Sequence, residues 1–109
     1  MDKKYKAMAS TSFRDLIDSD TPVVVDFYAD WCGPCKMQGP ILSQLKQSAG
    51  DQVRIVKIDI DKNQQLSTKL GVSSIPTIMI FQNGELKWQG VGVQTKQILQ
   101  DQIQNLVEL

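Results

Sequence analysis

The sequence predicts an α/β fold with a central mixed sheet of five strands flanked by four helices. Strand-like apolar runs alternate with helical stretches, which favours parallel pairing of successive strands. Asn83-Gly84 separates two further strand-like runs, and this dipeptide indicates a hairpin, because its tight turn needs positive φ at both central residues. The hairpin adds an antiparallel edge. We expect the order β-α-β-α-β-α-β-β-α in one domain, residues 1–109, since 109 residues suffice for one compact core.

Five strands are predicted, at residues 4–8, 23–29, 53–61, 77–82 and 85–89. The run at 23–29 is almost unbroken in apolar character and rich in β-branched residues. That pattern is typical of a central strand covered on both faces. We therefore place it at the centre of the sheet.

Four helices are predicted from apolar residues spaced three or four apart. The positions that mark them, in chain order, are Phe13, Leu16 and Ile17; Met37, Ile41 and Leu45; Leu66 and Leu70; and Leu99, Ile103 and Leu106. Gly50 and Gly71 are placed to end the second and third helices, and Thr95 is placed as the N-cap of the fourth. The spacing predicts that Met37 packs into the core.

Composition limits the classes of partner. Lysine plus arginine and aspartate plus glutamate number 12 each, so the formal net charge is zero. This balance argues against nucleic acid or an anionic membrane as a partner, and no apolar run is long enough to span a bilayer. The charged N-terminus is not followed by the apolar stretch of a secretory signal. We therefore expect a cytoplasmic protein, provided that no leader has been removed. A monomer is the default expectation, and the sequence leaves the oligomeric state open.

The segment from Trp31 to Lys36 holds the only two cysteines of the chain, Cys32 and Cys35. Two thiols at this spacing can interconvert between a dithiol and a disulfide, which makes them a two-electron redox switch. A strand is predicted to end just before them and a helix to begin just after Trp31. Cys32 would then lie at a helix N-terminus, where free N–H groups and the helix dipole stabilise a thiolate. We predict that Cys32 is the exposed member of the pair and that Cys35 is shielded.

The residues around the cysteines suit the same chemistry. Gly33 allows a partner to approach closely, and Pro34 fits the first turn of a helix. Trp31 is predicted to be a partly exposed aromatic beside the thiols. The alternative is a metal-binding pair, but structural zinc needs four ligands, and the chain has no histidine and no third cysteine. We predict no metal site.

Two charged residues interrupt apolar strand sequences. Asp26 lies in the valine-rich run, where burial is expected to raise its pKa. It is either an inert, hydrogen-bonded residue or a proton acceptor and donor for the deeper thiol, through water. Lys57 is either a lysine that extends to the surface or an ion-pair partner that tunes the proton affinity of Asp26.

Two loops contain residues that could meet a substrate. In Ile75-Pro76-Thr77, proline is either a tolerated first strand residue or a cis proline that presents the Ile75 backbone to a peptide. Gly90-Val91-Gly92 is predicted to be a flexible turn after the hairpin.

These segments together resemble the thioredoxin family. The matching pieces, in the order and spacing of that family, are residues 25–37, 56–61, 74–77, 81–84 and 90–92, and the resemblance covers essentially the whole chain. It implies a thioredoxin fold, with Cys32 as the attacking nucleophile and Cys35 as the resolving thiol, the two forming a disulfide. It also implies Asp26 as the proton-transfer group, with Lys57 beside it. The substrate-binding residues that it implies are Trp31, Gly33, Pro34, Ile75, Pro76, Thr77, Val91 and Gly92. The chain departs from the common family pattern at Tyr28, Gly39, Ser73, Ser74 and Val93.

The resemblance implies a general protein-disulfide reductase that donates electrons to disulfide-containing target proteins in cell redox homeostasis. It implies recycling by thioredoxin reductase, an NADPH-dependent flavoprotein that contains FAD. The present chain lacks the Gly-x-Gly-x-x-Gly dinucleotide motif, so we expect it to bind no cofactor itself. Two alternatives stay open: a disulfide oxidase or isomerase, and a redox-independent binding module that uses the surface of Trp31, Ile75 and Gly92.

Overall fold

A computed structural model describes residues 11–107 of the chain. Its helices are α1 (Thr11–Ile17), α2 (Gly33–Ala49), α3 (Gln64–Lys69) and α4 (Lys96–Val107), and a 3-10 turn (Gly50–Gln52) follows α2. Its strands are β1 (Val23–Tyr28), β2 (Arg54–Asp59), β3 (Thr77–Gln82) and β4 (Glu85–Val91). The α/β class, the four helices and the order of these elements agree with the prediction.

The sheet has the strand order β2-β1-β3-β4. β1 is parallel to β2 and antiparallel to β3, and β3 is antiparallel to β4, so the sheet is mixed. The central position of β1 and the antiparallel hairpin are as predicted. The strand count is not, because the described residues contain four strands rather than five. The predicted first strand, at residues 4–8, lies outside the described residues.

Side chains alternate across the sheet, which therefore has a core on each face. One core comprises Val24, Leu42, Leu45, Val53, Ile78, Ile80, Leu99 and Ile103. The other comprises Phe13, Ile17, Val23, Val25, Phe27, Met79 and Phe81. The first lies between the sheet and the helices α2 and α4, as predicted for Leu99 and Ile103. Because both faces of β1 are covered, its continuous apolar run is explained.

The predicted inner face of α2 is wrong at its start. Met37 is 63% exposed, and the buried residues of the helix are Cys35, Gln38, Leu42 and Leu45. A spacing of four residues drifts around a helix of 3.6 residues per turn, whereas alternating steps of three and four stay on one face. The buried face includes a glutamine, so a count of apolar residues alone could not find it.

Two strand ends differ from the prediction. β2 stops at Asp59 because this residue organises a turn: its carboxylate accepts the Asp61 N–H at 2.9 Å and its carbonyl accepts the Asn63 side chain at 2.9 Å. β4 continues through Val91, so the predicted flexible turn is partly strand, with Gly90 paired to Ile78 and Val91 to Thr77.

The hairpin turn and the N-cap of the last helix are found where the sequence predicted them. Asn83 and Gly84 have φ of 53° and 80°, as a tight hairpin turn requires. The Thr95 hydroxyl accepts the Ile98 N–H at 3.2 Å and so caps α4. No helix within residues 11–107 is both long and apolar enough to cross a bilayer.

Candidate active site

Cys32 and Cys35 form a disulfide at the point where β1 leads into α2. The Cys32 N–H donates to the Ala29 carbonyl at 3.1 Å and closes the turn after the strand. Cys32 is then the N-cap of α2, with extended backbone angles, and its Sγ accepts the Cys35 N–H at 3.2 Å. The helix N-terminus thus directs an N–H group at this sulfur, which is the arrangement that stabilises a thiolate.

The sequence predicted an exposed Cys32 and a shielded Cys35, but the two cysteines are almost equally buried. Cys32 is 4% exposed and Cys35 is 5% exposed. Both pack with Ala29, and Ile75 and Tyr28 lie against this small cluster. Closure of the disulfide holds both sulfurs in one patch, so burial does not separate the two residues. They do differ in hydrogen bonding, because the Cys32 Sγ accepts the Cys35 N–H.

The segment that faces the disulfide is Ile75-Pro76, whose peptide bond is cis. The Ile75 carbonyl oxygen lies 3.8 Å from the Cys32 Sγ. The Pro76 carbonyl accepts the Gly92 N–H at 2.8 Å, which joins this segment to the loop after β4. The structure therefore brings the predicted residues Ile75, Pro76 and Gly92 together beside Cys32.

Trp31 lies at the rim of the site and is exposed, as its position beside the thiols predicted. Its indole Nε1 donates to the Asp61 carboxylate at 2.8 Å. Asp61 follows β2 and was not among the predicted site residues. Its partner is 30 positions away in the sequence, so no local motif indicated the contact. The bond holds the large ring in place while its face remains accessible.

The predicted substrate-binding residues divide by exposure. Trp31, Gly33, Pro34 and Val91 are exposed, and Ile75 and Gly92 are half-buried. Pro76 and Thr77 are buried. The Thr77 hydroxyl donates to the Ser74 carbonyl, so this side chain holds the turn before β3 and does not line the surface. The predicted role of Thr77 in substrate binding stays a prediction.

Asp26 lies in the middle of β1 and is fully buried. Neither of its carboxylate oxygens has a hydrogen-bond partner among the described residues. Burial raises the pKa of Asp26 from 3.8 to about 6, and the charge of Lys57 lowers it in part. The prediction of an inert Asp26 assumed a hydrogen-bonded carboxyl, and the residues that the structure describes do not provide that bond. A carboxyl with this pKa can both accept and donate a proton near neutral pH.

Lys57 lies opposite Asp26 in the parallel register of β1 and β2. The ion pairs within residues 11–107 do not include Asp26 and Lys57. Instead, the Lys57 ammonium lies over the Tyr28 ring, 4.6 Å from its centroid. Lys57 is exposed and acts on Asp26 through space, so its influence is that of a nearby charge rather than a contact partner.

Two glutamines near the site were not identified from the sequence. Gln38 is buried on α2, and its side chain binds the main chain of Gln94 in the loop before α4. Gln38 follows Cys35 by one helical turn, so it shares the face of α2 on which Cys35 lies. That spacing was the available signal, but it was obscured because glutamine is not counted as a core residue.

Comparisons with known proteins agree with this geometry. The thioredoxin family model matches residues 4–105. A thioredoxin of Rickettsia typhi is 47% identical over 93 residues, which cover 84% of this chain and 89% of the relative. A thioredoxin of Bacillus subtilis is 48% identical over 83 residues, which cover 76% of this chain and 80% of the relative.

A solved structure gives the same result. A mutant thioredoxin from Halobacterium salinarum superposes with a TM-score of 0.82 at 38% identity, covering 92% of this chain and 87% of that one. The mixed sheet, the disulfide at the start of α2 and the match over nearly the whole sequence all lead to one assignment. The chain belongs to the thioredoxin family.

Proposed function

We propose that this chain reduces disulfides in other proteins by an exchange in which Cys32 attacks and Cys35 resolves. Its class of activity follows from the family and the closed cysteine pair: the chain is a thiol–disulfide oxidoreductase with a protein-disulfide reductase role. The proposal concerns the finer assignment of roles within the site. The observation that carries it is the hydrogen bond from the Cys35 N–H to the Cys32 Sγ.

This bond supports Cys32 as the nucleophile for an electrostatic reason. In the reduced protein the same N–H group would point at the Cys32 thiol, and its partial positive charge would favour the thiolate over the neutral form. Cys35 lies inside the first turn of α2 and lacks this N-cap position. The two thiols are therefore expected to differ in nucleophilicity although they are equally buried.

The exchange proceeds in two balanced steps. The Cys32 thiolate attacks one sulfur of the target disulfide; a mixed disulfide forms, the target bond breaks, and the other target sulfur leaves and takes up a proton. Cys35 then loses its proton and attacks the Cys32 sulfur. The Cys32–Cys35 bond forms, the mixed disulfide breaks, and the target has gained two electrons.

Asp26 is proposed to receive the proton that Cys35 loses, through water. The support is its burial without a hydrogen-bond partner among the described residues and its pKa of about 6. Lys57 is proposed to tune this proton affinity by its charge. The exposed aromatic Trp31 would receive the target around the disulfide, together with Gly33, Pro34, Ile75, Val91 and Gly92.

Each turnover leaves the chain oxidised, so the cycle needs an external donor of two electrons. We propose a separate NADPH-dependent flavoprotein, a thioredoxin reductase, as that donor, with both NADPH and FAD bound by the reductase. A reducing compartment, the cytoplasm, is part of the same proposal, because the dithiol must be maintained there. The targets are proteins that contain disulfides.

The test is reduction of insulin disulfides with dithiothreitol as the electron source, using a matched pair of variants. Cys32→Ser should abolish the activity, because the attacking sulfur is lost. Cys35→Ser, reduced beforehand and mixed with insulin after the dithiothreitol has been removed, should accumulate a mixed disulfide with the target, since the attack still occurs and the resolution does not. Gel analysis under non-reducing conditions would detect that adduct.

The paired variants separate the two roles. Full activity of Cys32→Ser would overturn the assignment of the nucleophile. A Cys35→Ser protein that reacts with insulin but forms no adduct would overturn the resolving role. The oxidase, isomerase and redox-independent alternatives are not favoured by any of the relatives reported above, which are all thioredoxins.

A further inference from the structure

A pair of buried hydrogen bonds links the helix that carries the cysteines to the loop after β4. Gln38 is fully buried on α2. Its Nε2 donates to the Gln94 carbonyl at 3.0 Å, and its Oε1 accepts the Gln94 N–H at 2.7 Å. One side-chain amide therefore satisfies both main-chain polar groups of a residue 56 positions away.

The Gln94 side chain extends this link towards the disulfide. Its Nε2 donates to the Gly92 carbonyl at 3.0 Å and to the Val91 carbonyl at 3.3 Å. The Gly92 N–H in turn donates to the Pro76 carbonyl at 2.8 Å. Ile75 precedes that proline and lies against the Cys32 sulfur. A continuous series of contacts thus runs from α2 through the loop and back to the cysteines.

The end of β4 and the loop after it fit closely around the Gln94 side chain. A Cβ added to Gly90 would come within 2.7 Å of the Gln94 side chain. The N–H and the carbonyl of Gly92 both have partners within the protein. A loop that is already held in one conformation loses less freedom when a partner binds to it.

Simple core stability does not account for an amide at this position. The other buried residues of α2 are Cys35, Leu42 and Leu45, and an apolar side chain would continue that face. A buried amide is tolerated only when its polar atoms are bonded, and both polar atoms of Gln38 are bonded to the loop rather than to its own helix.

We propose that Gln38 is a positioning residue that, through Gln94, fixes the main chain of Val91 and Gly92 and so determines how tightly a protein substrate docks. This inference rests on the proposed function, since it concerns the surface where the target disulfide is received. A small disulfide that makes few contacts outside the sulfurs gains little from the loop. Gln38 therefore affects protein substrates selectively.

The experiment compares Gln38→Met with the wild type on two substrates, insulin and the small aromatic disulfide 5,5′-dithiobis(2-nitrobenzoate). Methionine has nearly the same shape but cannot make either hydrogen bond. Without these two bonds the loop is free to move, and the cost of ordering it on binding should raise KM for insulin about 5-fold to 10-fold. The kcat for insulin and the rate constant for reduction of the small disulfide should each stay within about two-fold of the wild-type value.

Two further variants make the result specific. Gln94→Met keeps the main-chain bonds to Gln38 but removes those to Val91 and Gly92, and it should raise KM for insulin in the same direction. Gln47→Met changes an exposed glutamine of the same helix and should leave both substrates unaffected. Thermal melts establish that each variant is folded at the assay temperature. If Gln38→Met is unfolded at that temperature, the KM of Gln94→Met for insulin decides whether the inference holds.

The outcomes separate this inference from the proposed function. If the wild type reduces insulin but the KM of both variants is unchanged, the inference is wrong and the function stands. Equal losses on insulin and on the small disulfide would also overturn it, because they indicate general damage to the site. A wild-type protein that does not reduce insulin would instead remove the proposed function.

Discussion

At Cys32 one sulfur atom both closes the disulfide and caps α2. The N-cap position usually takes an oxygen-bearing side chain that accepts the N–H of the second or third helical residue, and here Sγ accepts the Cys35 N–H at 3.2 Å. We expect that N–H to remain directed at the Cys32 sulfur when the disulfide opens. The first turn of the helix would then stabilise the thiolate.

Asp26 differs from Cys32 in this respect. None of the described residues stabilises its negative charge by a hydrogen bond or an ion pair. Burial raises the pKa of Asp26 to about 6. The folded protein thus binds this proton more tightly than the unfolded chain does. The resulting stabilisation is fully present below pH 3.8, the ordinary value, and is lost as the pH rises through about 6.

Replacing Asp26 with asparagine should therefore raise the free energy of unfolding of the oxidised protein at alkaline pH. The difference between the two pKa values predicts a gain of about 2–3 kcal/mol at pH 8. At pH 4, where the native carboxyl of the wild type is already protonated, the two proteins should be nearly equally stable. Urea unfolding followed by circular dichroism at several pH values measures both.

The exposed carboxylate Asp30 provides the control for this prediction. Asp30→Asn removes the same charge a few residues away and should change the stability little at any pH. If Asp26→Asn and the wild type show the same dependence on pH between 4 and 8, the buried carboxyl is not the titrating group.

At the scale of single residues, the sequence predicted the position of a residue in a strand or helix better than it predicted the contacts of that residue with distant segments. The strand pattern predicted a buried Asp26 and a helix N-terminus at Cys32, and both are found. Exposure of Cys32 was predicted wrongly, because burial of a loop residue depends on segments distant in sequence, here Ile75. The bond of Trp31 to Asp61 has the same cause. The roles assigned to these residues stay predictions.

At the scale of elements, β4 contains a glycine, Gly90, that leaves room for the side chains of Trp88 and Gln94. Gly90 pairs with Ile78, and a Cβ built there would lie 2.5 Å from the Trp88 ring and 2.7 Å from the Gln94 side chain. A flexible turn was predicted because two glycines surround a valine. In the structure, Gly90 is needed for close approach within the strand, and Gly92 has a positive φ of 92° where the strand ends.

Gly90→Ala and Gly39→Ala should change stability in opposite directions. The first forces the Trp88 and Gln94 side chains to move and should lower the free energy of unfolding by about 1–3 kcal/mol. Gly39 lies inside α2, with no atom within 4 Å of an added Cβ. There alanine should raise it by about 0.5–1 kcal/mol, because alanine has the higher helix propensity. Chemical denaturation of both variants tests the pair, and destabilisation by Gly39→Ala would contradict this account.

At the scale of the whole molecule, the sheet separates two cores that share only its strands. The face with Ile103 packs α2 and α4, and the face with Ile17 packs α1. The chain pattern predicted the class, the mixed sheet and the hairpin, because periodicity and turn residues are local signals. It predicted the cores less completely, since which helix covers which face depends on how the chain crosses the sheet. That the whole chain forms one domain stays a prediction.

One cooperative domain should respond to both cores in a single unfolding transition. Ile17→Val and Ile103→Val each remove one methylene group from a different face, and each should lower the free energy of unfolding by about 0.5–1.5 kcal/mol. The sheet lies between the two sites, so the double variant should show the sum to within about 0.5 kcal/mol. Circular dichroism reports the helices and strands. In a Trp31→Phe background, fluorescence comes from Trp88, which packs against the Ile103 core and so reports one face. The two curves should coincide in every variant, because the strands that form one core also form the other. If Ile103→Val shifted the fluorescence transition and left a separate later transition by circular dichroism, the faces would unfold independently and the chain would not be one cooperative unit.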